Sequence, residues 1–319
     1  MTQNIAILAG GLSHERDVSL RSGRRVAEAL RDRGDVVEVL DVDHALLPAL
    51  ARARPDCVIP LLHGASGEDG SLRDVLDAMA LPYVGSGPDA CRLAFDKMVA
   101  KAHLAEVGIP IAPAVALPHP TFRDLGAQAV LDILVGSIGL PLVVKPTNGG
   151  SALGVSIVRE AHELPAAMVA CFSYGDTAML ERHIAGTEVA VTVIEGQDGE
   201  LRALPAVEIQ PDSGVYDFAS RYTAGTTEFF APARLTDAVA DACARIAVAA
   251  HDRLGLRHLS RADLIVQPDG TVIFLEVNVA PGCTETSLLP QAVEAAGLDL
   301  GEVFATLVGR AVGAVRPAG

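Results

Sequence analysis

The chain has no tryptophan, aromatic residues make up only 4% of it, and of its 25 basic residues just three are lysines: Lys97, Lys101 and Lys145. A cysteine framework is also missing. Cys57, Cys91, Cys171, Cys243 and Cys283 are odd in number and far apart, with no Cys-x-x-Cys pair. This spacing points away from a disulfide scaffold or a structural zinc site and towards a reducing compartment. Long apolar runs are absent too. Half of the residues are hydrophobic, but Arg, Asp, Gly or Pro interrupts each stretch before the roughly 20 residues that a membrane-spanning helix needs. The first residues lead directly into a strand-like run, with no basic segment or small-residue cleavage site, so a cytoplasmic location is expected and export is not. Positive charge is in deficit. A formal net charge of −15 disfavours nucleic acid and anionic membranes as partners.

What is present is enough chain, 319 residues, for two or three sub-domains with a cleft between them. Asn4 to Ala9 reads as a strand, Gly10 and Gly11 break it, and Val18 to Arg33 carries helical spacing at Val26, Ala27 and Leu30. Further strands are expected at Val36 to Val42 and Asp56 to Leu62, a helix over Ser71 to Ala80 and a short strand at Pro82 to Val84. Such alternation predicts an open parallel sheet covered by helices, ending near residue 90. Beyond it the pattern predicts one helix over Ala90 to Val107, a buried strand from Leu140 to Lys145, a long polar loop up to Phe230 and a helix over Thr236 to Leu254. The three expected units are 1–90, 91–186 and 187–319.

The densest chemistry lies between Leu259 and Asn278. Arg261 to Val266 and Thr271 to Asn278 flank Gln267-Pro268-Asp269-Gly270, a turn sequence that predicts an antiparallel hairpin. If Val266 pairs with Thr271, Arg261 lies opposite Glu276 and Asp263 opposite Phe274. Arg261, Asp263, Glu276 and Asn278 would then share one face, with Ala262, Leu264, Val266, Ile273, Leu275 and Val277 on the other. Two carboxylates and an amide beside a guanidinium suit a hard cation such as Mg²⁺, which takes oxygen ligands and shares its shell with phosphates. A surface ion pair between Arg261 and Glu276 would explain part of the same pattern. After Asn278, Pro281-Gly282 ends the strand, and Thr284 to Ser287 offers hydroxyls at the start of a helix, a place suited to a carboxylate or an oxyanion.

Lys145 ends its strand and is followed by Pro-Thr-Asn-Gly-Gly-Ser-Ala-Leu-Gly. A strand resumes after this run, so it is no Walker A loop. It predicts a glycine-rich hairpin tip whose N–H groups cover phosphates, although an ordinary mobile hairpin has the same composition. Gly-Ser-Gly-Pro-Asp-Ala at 85–90 matches a dinucleotide fingerprint only formally, with no acid at a ribose-like distance. In the first unit, Glu15 and His63 sit at the carboxyl ends of strands, where open α/β sheets bind ligands, although a solvated loop acid and a structural histidine fit the same positions.

Together these segments resemble the D-alanine:D-alanine ligase family of the ATP-grasp superfamily. The resemblance runs through Gly10-Gly11-x-Ser13-x-Glu15-Arg16-x-Val18-Ser19-Leu20, Leu62-His63-Gly64, Gly67-Glu68-Asp69-Gly70 and Tyr83-x-Gly85-Ser86-Gly87. It continues through Asp96-Lys97, Val144-Lys145-Pro146, Tyr216-Asp217, Leu275-Glu276-Val277-Asn278, Pro281-Gly282 and Ser287-Leu288.

The resemblance implies a three-lobed ATP-grasp fold, α/β in its Rossmann-like first lobe and α+β overall, with ATP clamped between the second and third lobes. Lys97 and Lys145 would contact phosphates, Glu181 and Glu188 the adenine and ribose, His183-Ile184 would form the adenine hinge, and Arg221 would stand where a lysine usually precedes the loop tyrosine. Asp263, Glu276 and Asn278 would hold two Mg²⁺, with Mn²⁺ as a substitute. Arg261 and the Gly282 N–H would face the tetrahedral oxyanion. Glu15, beside His63, would hold the first D-alanine, and Ser287 with the Leu288 N–H the second, while Ser151 and Tyr222 would link to Glu15 and close the site. The resemblance also implies a homodimer. The sequence departs from the family at Gly149-Gly150-Ser151-Ala152, where Glu-Gly-Ser-Ser is usual. A ligase for a different amino-acid pair and a silent nucleotide-binding regulator are the alternatives.

Overall fold

The structure is a computed structural model that describes residues 2–315 apart from 213, 215, 217–219, 222 and 224. Tyr222 and Asp217 therefore lie outside the described residues. The first sheet is parallel, as the alternating pattern predicts. Its strands β1 (Asn4–Leu8), β2 (Val36–Leu40) and β3 (Cys57–Pro60) run in the order β2-β1-β3, and Tyr83 extends it by a parallel bridge to Val58. The helix Arg16–Asp32 lays Val26, Ala27 and Leu30 on Ile5 and Ile7. Gly23 makes this crossing possible, because a Cβ there would come within 2.7 Å of the Ala9 Cβ.

A four-stranded antiparallel sheet follows, built from β4 (Ala114–Pro118), β5 (Leu142–Pro146), β6 (Ser156–Val158) and β7 (Thr177–Arg182) in the order β4-β7-β5-β6. Helices Ala127–Ile138 and Leu164–Phe172 pack on one face of it through Leu131, Leu134, Ala167 and Met168. The last sheet contains β8 (Thr187–Glu195), β9 (Leu201–Ala203), β10 (Val207–Pro211), β11 (Thr227–Phe230), β12 (Leu259–Val266) and β13 (Val272–Asn278). Its order is β11-β10-β8-β12-β13, with β9 on β8. Helix Asp237–Arg253 covers this sheet with Cys243, Ala247 and Ala250. All five cysteines are free and buried. No helix among the described residues is long and apolar enough to cross a membrane.

Two expectations need correction. The single helix expected over Ala90 to Val107 is two helices, Pro88–Phe95 and Lys97–Ala105, because Asp96 leaves helical geometry and caps the second, its side chain accepting from the Met98 and Val99 N–H groups. Apolar periodicity continues across the break, which hides it from a pattern search. The polar loop expected to reach Phe230 ends earlier, in strand β11, which pairs Glu208–Pro211 with Thr227–Phe230.

The hairpin register is a third correction. Val266 pairs with Val272, not Thr271, and the ladder shifts between Asp263 and Leu264, so that Asp263 faces Glu276 and Arg261 faces Asn278. A β-bulge at Leu275 absorbs the extra residue. Phe274 thereby joins the core with Leu264, while Leu275, expected on the core face, lines a cleft.

Candidate functional site

That cleft, of about 370 Å³, lies between the four-stranded and six-stranded sheets. Val143, Ile157, Ile184 and Leu275 form an apolar part of its wall, and Lys97, Lys145, Glu181, Glu188, Asp263 and Glu276 a charged part. His183, Arg221 and Gly150 also border it. Every residue expected to touch the nucleotide thus meets one space, apart from Ser151, which lies on the adjoining pocket.

Strand geometry accounts for much of this convergence. On β5 and β7, Lys145 pairs with Met179 and Glu181 with Val143. Period-two alternation then puts Lys145 and Glu181 on the same face, and Lys145 Nζ donates to Glu181 Oε2 at 2.7 Å. Glu181 Oε1 accepts from Lys101, which also donates to the Phe274 carbonyl at 3.2 Å. Burial opposes ionisation of Glu181, but the Lys145 and Lys101 ammonium groups outweigh it and hold the carboxyl below its ordinary value. Lys101 carries no expected role from the sequence. The signal was available: it follows Lys97 by four residues, the spacing that places two side chains on one helix face.

Lys97, the first residue of its helix, reaches Glu276 Oε2 at 3.1 Å and the Gly149 carbonyl at 2.8 Å. It joins the hairpin to the glycine-rich loop. Burial raises the Glu276 carboxyl, yet Lys97, Lys145 and Arg221 reverse this and bring it down to about 2. Arg261 grips Asp263 with a two-pronged contact of 2.7 and 2.8 Å, and Asn278 Nδ2 donates to Asp263 at 3.2 Å. Burial works against the Arg261 charge, but Asp263 raises its pKa further above the ordinary value. Glu188 is pushed up by burial, against the pull of Arg221. The Arg221 guanidinium stacks 4.2 Å above the Tyr216 ring.

A smaller pocket of about 70 Å³ shares Glu276 and Arg221 with the cleft and adds Glu15, His63, Glu68, Ser151, Arg261, Asn278, Gly282, Ser287 and Leu288. The Ser151 hydroxyl donates to Glu15. Ser151 and Ala152 both have positive φ, 52° and 56°, so the loop turns sharply at Glu15. His63 Nδ1 contacts the Ala280 carbonyl at 3.0 Å, which requires the proton on that nitrogen, and Nε2 lies 3.5 Å from the Ser22 hydroxyl. Burial lowers the pKa of His63, so a neutral ring ties the first sheet to the turn after β13. The Ser287 hydroxyl touches the Thr284 hydroxyl at 2.8 Å and accepts from the Thr284 N–H at 3.0 Å. A Cβ on residue 282 would meet Ser287 Oγ at 2.8 Å, so glycine keeps that backbone open to the pocket. Glu68, unassigned by the sequence reading, is raised to about 8 by burial and by Glu15.

The residues present fit a nucleotide with a hard cation. Among the described residues no three His, Cys, Asp or Glu side chains gather at one point. The hairpin instead sets two carboxylates, Asp263 and Glu276, directly opposite each other with an amide beside them. Like charges facing across a ladder repel. A donor set of this kind, short of a full shell, suits Mg²⁺ that also takes phosphate oxygens.

Residues 103–309 match the family model described as D-ala D-ala ligase C-terminus. A D-alanine--D-alanine ligase from Anaeromyxobacter dehalogenans is 43% identical over 300 residues, covering 93% of this chain and 92% of the relative. Among solved structures, a D-alanine--D-alanine ligase from Bacillus anthracis superposes with a TM-score of 0.82 at 25% identity, covering 100% of both chains. The VanG D-Ala:D-Ser ligase from Enterococcus faecalis gives 0.81 at 25% identity, covering 98% of this chain and 100% of its own.

Proposed function

This chain belongs to the D-alanine--D-alanine ligase family, and from that premise we propose that it joins two D-alanines at the expense of ATP, supplying D-alanyl-D-alanine for peptidoglycan precursors. The fold is the α+β ATP-grasp arrangement with a parallel first sheet. The observation that carries the reading is the shared wall of the two pockets, where Glu276 and Arg221 border both the lysine-lined cleft and the space beside Glu15. A terminal phosphate in one and a carboxylate in the other would meet there.

In the proposed reaction Glu15 holds the ammonium of the first D-alanine, and the carboxylate oxygen of that D-alanine attacks the γ-phosphorus as ADP leaves, giving an acyl phosphate. The second amine then attacks the acyl carbon, loses a proton, and inorganic phosphate departs. Lys97 and Lys145 orient the phosphates, and positioning with charge neutralisation carries most of such a transfer. Arg261 and the Gly282 N–H stabilise the oxyanion. Ser287 and the Leu288 N–H receive the second carboxylate. Glu181, His183-Ile184 and Glu188 hold the base and ribose. Mg²⁺, two ions in this reading, would be held by Asp263, Glu276 and Asn278 and would neutralise phosphate charge. Ser151, with Tyr222, closes the pocket against water. The same proposal divides the chain into lobes 1–90, 91–186 and 187–319 and places it in the cytoplasm as a homodimer; free cysteines support the reducing compartment and family resemblance the dimer.

The test is incubation of the purified protein with ATP, Mg²⁺ and D-alanine. D-alanine-dependent phosphate release with D-alanyl-D-alanine by mass spectrometry is expected. Release with another pair in a panel containing D-serine and L-alanine, and none with D-alanine alone, would reject the substrate assignment.

A further inference from the structure

The proposed function uses two of the three lysines. Lys101 is the third, and it is the most deeply buried, its side chain 2% exposed against 10% for Lys97 and 10% for Lys145. Removing an ammonium from water is costly unless it is paired and hydrogen-bonded. Here Glu181 and the Phe274 carbonyl supply the pairing. One carboxylate therefore serves two ammonium groups, Lys101 from the helix Lys97–Ala105 and Lys145 from β5.

These two lysines differ in what else they can reach. Lys145 lines the cleft together with Glu181, whereas Lys101 does not border it. An incoming phosphate competes for Lys145. Glu181 would then keep a single cation, inside a wall whose apolar members Val143, Ile157 and Ile184 make a slot suited to a flat base. A buried carboxylate without a cation takes up a proton or turns away, and in either case it ceases to be a fixed acceptor. We propose that Lys101 is a positioning residue that holds the Glu181 carboxylate in place as a hydrogen-bond acceptor once Lys145 engages the phosphates, and thereby selects a nucleobase bearing an exocyclic amino group. The inference deepens the proposed function and rests on its placing of the base beside Glu181. Lys101 acts through Glu181 and does not touch the nucleotide.

The test is calorimetric titration of the full chain with Mg·ATP and with Mg·ITP, whose base carries an oxo group in place of the amino group. Wild type is expected to prefer ATP. In Lys101→Met the ATP-to-ITP affinity ratio falls about tenfold, the size of one lost charge-assisted hydrogen bond, while ITP affinity changes by less than about threefold. A purely structural role for Lys101 would weaken both nucleotides alike, so an unchanged ratio overturns the proposal. If Lys101→Met does not fold, Lys101→Gln, which keeps one N–H for Glu181, decides in its place: a partial fall in the ratio supports the proposal and an unchanged ratio overturns it. A wild type with no ATP preference overturns it together with the placing of the base. Because the titration contains no amino acid, failure of the D-alanine assay is a separate result.

Discussion

Lys97 Nζ lies 3.1 Å from Glu276 Oε2, so the first residue of a helix and the carboxylate of strand β13 are locked across the cleft. The contact also fixes the glycine-rich loop, because the same ammonium donates to the Gly149 carbonyl. Phosphate, cation and lysine would thus share a single meeting point.

Glu276→Ala removes one of two opposed carboxylates but leaves Lys97 with the Gly149 carbonyl, so the fold should survive. Turnover is expected to fall by at least about a thousandfold, with Tm shifted by no more than about 4 °C. Steady-state phosphate release and a thermal melt check both halves. A variant that keeps a tenth of wild-type activity would overturn the assignment of Glu276 as a metal ligand.

Asp96→Ala deletes the cap that starts the Lys97 helix. Loss of a cap accepting two N–H groups costs about 1 kcal/mol, read as a lower urea midpoint at unchanged slope. Because fraying begins at Lys97 itself, KM for ATP should rise more than KM for D-alanine. Equal changes in the two would show that the cap supports the fold without placing the lysine.

Glu68→Gln tests the buried acid beside Glu15. The folded carboxyl is raised to about 8 from an ordinary 4.5, by burial first and then by Glu15. Folding therefore gains from this proton fully below about pH 4.5, and the gain is lost as pH rises towards 8. Gln keeps the oxygen that accepts from the Gly64 N–H at 2.8 Å and cannot ionise. The variant is expected to match wild type near pH 4.5 and to exceed its stability by about 5 kcal/mol at pH 8.5. Urea unfolding at the two pH values measures the difference, and parallel curves would place Glu68 in a more solvated setting.

Local chemistry made the parallel first sheet and the Pro-Asp-Gly hairpin legible, since alternation and turn residues act over a few positions. The bulge at Leu275 was not. Its cause is tertiary: Phe274 packs under the helices of the last sheet while Glu276 must still face Asp263, and no periodicity within β13 contains that demand. The break at Asp96 escaped for a related reason, as the apolar faces of two successive helices nearly coincide. Lys101 and Glu181 show the opposite case. Lysine scarcity singled out three positions, yet only coordinates reveal that one carboxylate holds two of them.

The smaller pocket draws on one stretch of the chain that the cleft does not touch. Everything lining the cleft comes at or after Lys97, whereas Glu15, His63 and Glu68 all precede it. The leading segment can consequently be varied at Glu15, His63 and Glu68 without replacing any side chain that borders the cleft, while Gly150, Tyr216, Arg221 and Glu276 bind the two spaces together.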